Sequence, residues 1–174
     1  MSVNSSSFII RLETPSDVSA VEQLTALVFG PAMFARAAFA LREGVAPEPA
    51  CSFVAEIGSQ IVGTVRQTPI NWGDKTALML GPLGVSPAHK SAGIGRALMT
   101  ASVEAARGLC ADGGPKVIML VGDLDYYKPF GFRQISHGKI TLPRPADPAR
   151  ILVCELEEGA AKSYSGVASS RRTG

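Results

Sequence analysis

Between residues 76 and 109 the chain reads, without a break, as a strand, a tight turn and an amphipathic helix. The strand closes on Leu83-Gly84-Val85, the turn runs Ser86-Pro87-Ala88-His89-Lys90-Ser91-Ala92, and Gly93-Ile94-Gly95 opens the helix. Ile94, Leu98, Ala101, Ala105 and Leu109 share one side of that helix, and the small residues among them permit close approach to a sheet. Past the breaker Gly113-Gly114-Pro115, the nearly unbroken apolar run Lys116–Val121 reads as a buried central strand. A strand, a helix and a second buried strand in that order form a parallel crossover, which needs a layered α/β domain. The turn has a chemical implication too. A glycine-bearing turn feeding a helix leaves backbone N–H groups unpaired beside the positive end of the helix dipole, an arrangement that holds phosphate oxygens. A phosphorylated ligand is expected there.

The flanking sequence supplies the remaining layers. Phe8–Leu12 reads as a first strand, and Thr14-Pro15-Ser16-Asp17 is a helix start with a capping residue beside a proline. Val18, Val21, Leu24, Leu27 and Val28 recur at helical spacing until Gly30-Pro31 stops the run. A second helical stretch spans Met33–Arg42, with Met33, Phe34, Ala37, Ala38 and Leu41 on one side. Cys51–Ile57 and Gln60–Gln67 flank Gly58-Ser59, a two-residue hairpin signal, and Thr76–Val85 is entered through Asn71-Trp72-Gly73-Asp74. A short helical turn at Asp125–Lys128 leads into Phe130-Gly131-Phe132. Arg133–Thr141 and Ile151–Leu156 are the last strands, either side of the proline-rich Pro143–Pro148. The order predicts a mixed α/β fold in one domain over 1–174, with its core in 8–158 and a frayed tail at 159–174.

Charge excludes one class of partner. Seventeen Lys and Arg stand against 15 Asp and Glu, with no basic stripe interleaved with aromatics, so no nucleic acid is expected. No apolar run approaches the ~18 residues of a membrane span. The start Met1–Ser7 lacks the pattern of a secretory leader, so no membrane partner is expected and a cytoplasmic setting is the simplest reading. Cys51, Cys110 and Cys154 lie far apart, and His89 and His137 are not a ligand-spaced pair. Neither a disulfide framework nor a metal site is expected.

Which phosphate ligand fits depends on the wider pattern. A Walker-type loop needs Gly-Lys-Ser/Thr, whereas Gly95 is followed by Arg96-Ala97. A dinucleotide fingerprint needs a third Gly or Ala where Leu98 stands. By contrast, Leu83-Gly84-Val85-Ser86-Pro87 with Lys90-Ser91-Ala92-Gly93-Ile94-Gly95 resembles the acyl-CoA signature of the GNAT N-acetyltransferase superfamily, Gln/Arg-x-x-Gly-x-Gly/Ala after an apolar strand. Lys90 stands where that family has Gln or Arg. After a second strand, Tyr126-Tyr127-Lys128-Pro129-Phe130-Gly131-Phe132 is similar to the family's aromatic-Tyr-x-x-Phe/Leu-Gly-Phe segment. A branch of N-acetyltransferases carrying Leu-Gly-Pro-Leu-(small)-Val and Tyr-Tyr-x-x-Phe-Gly-Phe gives the nearest pattern.

The resemblance implies a sheet splayed between two parallel strands, helices on both faces, and acetyl-CoA as co-substrate with no metal. Backbone groups of Leu83, Gly84 and Val85 would pair with the pantetheine arm, Gly84 being suited to a bulge. Lys90, Ser91, Ala92, Gly93, Ile94, Gly95 and Arg96 would hold the pyrophosphate. Tyr127 matches the family's general-acid tyrosine, and Tyr126 reads as structural. No base is readable: Glu56 and Asp74 are the candidate carboxylates, each also a solvated surface acid, a water chain to solvent is the alternative, and His89 reads as a loop histidine; Trp72 reads as packing. The implied reaction is acetyl transfer to a primary amine of a small molecule or peptide by direct attack on the thioester. The alternatives are a catalytically idle acyl-CoA-binding module and a structural domain with no ligand. Helical residues 29–41 and the 143–148 loop are the expected walls of an acceptor site. The acceptor and the oligomeric state, a homodimer included, stay open.

Overall fold

The computed structural model describes residues 7–172; Met1–Ser6, Thr173, Gly174 and the side chains of Phe34 and Ala35 lie outside the described residues, so the leader reading and the place of Phe34 do too. Strand β1 (Ile9–Leu12) lies antiparallel to β2 (Phe53–Ile57), and helix α1 (Val18–Phe29) follows it. The helix start is tied to the sheet by charge. Arg11 donates to both carboxylate oxygens of Asp17 at 2.7 and 2.9 Å, and the Thr14 N–H donates to the same carboxylate at 2.7 Å. Gly30 then ends α1 in a left-handed conformation.

The Gly58-Ser59 hairpin joins β2 to β3 (Gln60–Trp72), which turns at Gly73-Asp74 into β4 (Lys75–Val85). Helix α3 (Ile94–Ala111) crosses one face to β5 (Val117–Val121), which runs parallel to β4. Strand β8 (Ile151–Glu155) pairs antiparallel with β5, and β6 (Phe132–Gln134) with β8. The sheet order is β1-β2-β3-β4-β5-β8-β6. One core lies between this sheet and α3 and includes Val65, Leu80, Ile94, Leu98, Ile118 and Leu152. The other lies on the opposite face under α2 (Ala37–Arg42) and includes Leu41, Ile70, Trp72, Met79 and Met119.

The central parallel pair opens like a V. Strands β4 and β5 pair only at Leu78–Ile118 and Met79–Met119. Val65 opposes Leu83 while Gln67 opposes Leu80, so β4 carries one extra residue at Gly81-Pro82. Beyond that bulge β4 stays with β3, whereas β5 stays with β8 as far as Val121–Ile151. The bulge was expected at Gly84. That glycine instead lies under the end of α1, where an added Cβ would come 3.4 Å from the Phe29 ring.

At the opposite end the V is stapled. The Tyr164 hydroxyl donates to the Thr76 carbonyl of β4 at 2.7 Å and accepts from Lys116 N–H, one residue before β5, at 3.4 Å. Tyr164 belongs to the segment expected to fray. Ala160, Ala161, Tyr164 and Ala168 are buried, and β9 (Gly166–Ser170) pairs with the end of β3, Ile70 opposite Ser170. The fraying expectation is thus corrected. Small residues in Gly166–Ser170 carry almost no hydrophobic alternation, yet the β2 pairing ends at Phe53 opposite Val65 and leaves the outer edge of β3 beyond it free for this strand.

Two boundaries also differ. Residues 133–141 divide into β6 and β7 (Ile140–Thr141) around a turn with Gly138 in a left-handed conformation. The stretch 33–42 is a 3-10 turn, Pro31–Ala35, and then the short α2, divided by the extended Arg36.

Candidate active site

The turn between β4 and α3 has the geometry its sequence requires. Ser91 and Gly93 both adopt left-handed conformations, φ 70° and 82°, which fold the loop back on itself. Gly93 caps α3, and the first internal bond of the helix runs from Ala97 N–H to the Gly93 carbonyl at 3.1 Å. The N–H groups of Ile94, Gly95 and Arg96 therefore have no partner within the helix. Lys90, Ser91, Ala92, Gly93 and Arg96 are exposed, Gly95 is half-buried and Ile94 is buried in the core. Nothing lies within 4 Å of the place a Gly93 Cβ would occupy. This is an open cradle of backbone donors, suited to an anion.

The two tyrosines come from α4 (Leu124–Tyr127), whose start follows the end of β5. Their rings meet edge to face, with centroids 4.8 Å apart. Tyr127 is half-buried. Its ring packs edge-on against Phe132 at 5.9 Å and rests on Gly122, where a Cβ would come 2.5 Å from its Cε2. Burial pushes the Tyr127 hydroxyl up to about 12; the neighbouring Tyr126 and Asp123 add to the rise and Arg150 opposes it. Tyr126 does more than pack. Its hydroxyl sits against Gly95, where a Cβ would come 2.7 Å from it, so Gly95 is the space that lets α3 and this hydroxyl meet. Sequence spacing gave no sign of that contact, because the two residues come together only through the crossover.

Tyr127 lines a cavity of about 360 Å³ at the mouth of the V. Leu80, Gly81, Pro82 and Leu83 of β4 form one wall and Val121 of β5 another. The two segments expected to shape an acceptor site meet across it, Phe29 to Arg42 on one side and Pro145, Ala146 and Asp147 on the other. Leu83 faces this space, whereas Gly84 and Val85 continue β4 toward the anion cradle, opposite Thr64 and Gly63 of β3. The structure thus sets the cradle and Tyr127 at the ends of two strands that splay apart.

The carboxylates considered as base lie elsewhere. Glu56 is paired with Arg11 at 2.9 Å, and exposed Asp74 sits in the β3–β4 turn, at the strand ends remote from the mouth. Asp147 is the carboxylate among the described residues lining the cavity, and it accepts a bond from Ala149 N–H at 2.9 Å. Trp72 is packed, 1% exposed, with its indole N–H on the Lys139 carbonyl at 3.1 Å. Among the described residues no His, Cys, Asp or Glu cluster of three could hold a metal, and no helix is long and apolar enough to cross a membrane.

The family model for the acetyltransferase (GNAT) family matches residues 20–132. The chain belongs to that family. Its mixed sheet, split between β4 and β5 with helices on both faces, is the GNAT acyl-CoA N-acyltransferase architecture. It is similar to a GNAT family N-acetyltransferase, YhbS, from Escherichia coli in complex with CoA (21% identity, 98% of this chain and 93% of that one, TM-score 0.78). It is also similar to a GNAT family acetyltransferase from Brucella melitensis in complex with acetyl-CoA (26% identity, 95% and 97%, TM-score 0.70). More distantly it resembles Arabidopsis thaliana Naa50 in complex with a bisubstrate analogue (15% identity, 84% and 97%, TM-score 0.58). None of the curated proteins compared with this GNAT chain matches it.

Proposed function

We propose that this GNAT protein is an acetyl-CoA-dependent N-acetyltransferase that moves the acetyl group to a primary amine in the cavity at the mouth of the V. The carrying observation is the splay itself: the cradle at Lys90–Arg96 closes one arm of an opening whose other arm delivers Tyr127. The E. coli and Brucella structures, bound to CoA and acetyl-CoA, support the same ligand here. In this reading the free amides of the cradle, with Lys90 and Arg96 beside them, hold the diphosphate. The β4 edge beyond Met79, with no strand partner toward β5, runs along the pantetheine.

The chemistry asks for placement more than for strong acid–base groups. Neutralising a lysine-like amine at pH 7 costs roughly 4.6 kcal/mol. The amine nitrogen then bonds to the thioester carbonyl carbon, the C–S bond breaks, and the amine proton leaves. Asp147 is the cavity carboxylate placed to receive that proton, directly or through water. The sulfur leaves as a thiolate of pKa near 8.5, so full proton transfer from a tyrosine held at about 12 is uphill by about 5 kcal/mol. Tyr127 therefore acts by donating a hydrogen bond to the developing charge on sulfur, without surrendering its proton.

Thiol release from acetyl-CoA with a panel of amines tests this. Tyr127→Phe is expected to lower kcat about 10- to 100-fold, with CoA affinity held within about twofold. The wild-type rate should show no alkaline limb from Tyr127 below about pH 11, because the hydroxyl stays protonated. Turnover no faster than thioester hydrolysis with every amine, together with tight CoA binding, would instead identify an idle acyl-CoA-binding module.

A further inference from the structure

We infer that the amine acceptor also carries an anionic group, a carboxylate or a phosphate, and that Arg42 receives it with Arg36 beside it. The inference rests on the acetyltransferase reading and specifies its second substrate. Arg42 is the last residue of α2, and its guanidinium lies back over the β4 bulge. Its Nη1 stands 3.4 Å from where a Gly81 Cβ would be, and its Cζ sits 5.8 Å from the Phe39 ring centroid. Arg42 also lines a second cavity, of about 460 Å³, which shares Met33, Gly81 and Pro82 with the first. The guanidinium therefore borders both spaces.

Every nearby acid is engaged elsewhere or exposed. Glu13 pairs with Arg66 (Nε–Oε2 3.0 Å) and Glu43 with Arg172 (3.7 Å), while exposed Asp147, its Oδ1 on the Ala149 N–H, makes no ion pair with Arg42. Glu22, at the far cavity, is exposed. Among the described residues Arg42 has no carboxylate partner, and Arg36 and Arg66 are its charged neighbours. Burial and those two cations hold its pKa down at about 10, the mark of a guanidinium lacking a counter-charge. A half-buried cation without an anion is costly, and a ligand that brings one regains that cost.

Charge balance in the first cavity points the same way. Its lining carries Arg36, Arg42 and Arg150 against Asp147, and only Arg150 is matched by an acid outside the lining, Asp123 at 2.5 Å. An acceptor arrives mostly as an ammonium ion. A bare ammonium would be repelled here, whereas an amine bearing an oxyanion is neutral overall and lays its negative end on Arg42. The same cations favour the uncharged amine that must attack.

The test uses ω-amino carboxylates of three to six carbons, their carboxamides and the matching aminoalkylphosphonates, with wild type, Arg42→Gln, Arg42→Lys and Arg36→Gln. In wild type kcat/KM should favour the anionic amines at least tenfold over the carboxamides. Arg42→Gln should shrink that ratio at least tenfold, Arg42→Lys should restore part of it, and Arg36→Gln should lower it severalfold. Whether carboxylate or phosphonate is preferred identifies the source of the anion. Calorimetric binding of the N-acetylated carboxylates and carboxamides is measured in parallel and needs no turnover. If transfer fails with every amine, a carboxylate preference lost in Arg42→Gln still supports the anion site while the transferase reading falls. An equal ratio in wild type and Arg42→Gln, with melting temperatures showing both folded, overturns the assignment.

Discussion

Gly122→Ala moves Tyr127 without altering it. Gly122 is buried at the end of β5, and its N–H donates to the Arg150 carbonyl at 2.8 Å, a bond that alanine keeps. A Cβ there would come 2.5 Å from Cε2 and 3.2 Å from Cδ2 of Tyr127, and 3.2 Å from a Leu120 methyl. Carbon atoms rest 3.5–4.0 Å apart, so the ring has to withdraw by roughly 1 Å. The body of a packed ring, flanked by Phe132 and Tyr126, has no flexible end with which to absorb that shift. Overpacking of this kind costs about 1–3 kcal/mol of stability. A displacement of about 1 Å at a catalytic group lowers the rate by up to roughly 100-fold. Steady-state thiol release with CoA titration should show kcat falling about 10- to 100-fold while CoA affinity holds. The decisive comparison is the double variant. In a Tyr127→Phe background Gly122→Ala should change kcat by less than about twofold, since the hydroxyl it misplaces is gone. An undiminished loss in that background would refute the claim that Gly122 acts through Tyr127.

Gly93→Val puts a β-branched residue at φ 82° and a side chain into the open cradle, so CoA affinity should fall at least about tenfold by calorimetry, with backbone strain of about 1–2 kcal/mol. Unchanged affinity would remove the diphosphate from that turn. Asp17→Asn takes the acid from the Arg11–Thr14 knot at the start of α1 and should cost about 1–3 kcal/mol in urea melts at pH 7. The Arg11 guanidinium holds this carboxyl well below the usual range, with the Thr14 backbone N–H and hydroxyl adding to it, so the stabilisation is full above the unfolded value near pH 4. It is lost as pH falls toward the folded value, and the gap between wild type and variant should narrow at pH 3.

Particular residues show what could be read beforehand. The crossover was legible because its parts are adjacent in sequence: Leu83 to Gly95 carries the strand exit, the turn and the cap together, and Lys116–Val121 has the composition of a strand buried on both faces. The position of Tyr127 before Phe130-Gly131-Phe132 was the one sign of its place in the cavity lining. The extra residue in β4 was not legible, because either Gly81 or Gly84 suits a bulge and only the register with β3 decides. Arg42, with Arg36, pointed to no single substrate from the sequence. Its significance depends on where Glu13, Glu43 and Asp147 point, which no local pattern encodes. β9 escaped notice because its partner edge lies nearly a hundred residues upstream.

The Tyr164 staple gives the split sheet a mechanical character. β4 and β5 are clipped together at one end by a single phenol, joined by two residue pairs and free of each other at the other end, like a clothes-peg held open. A segment remote from the cavity thus ties together the two strands that part at its mouth.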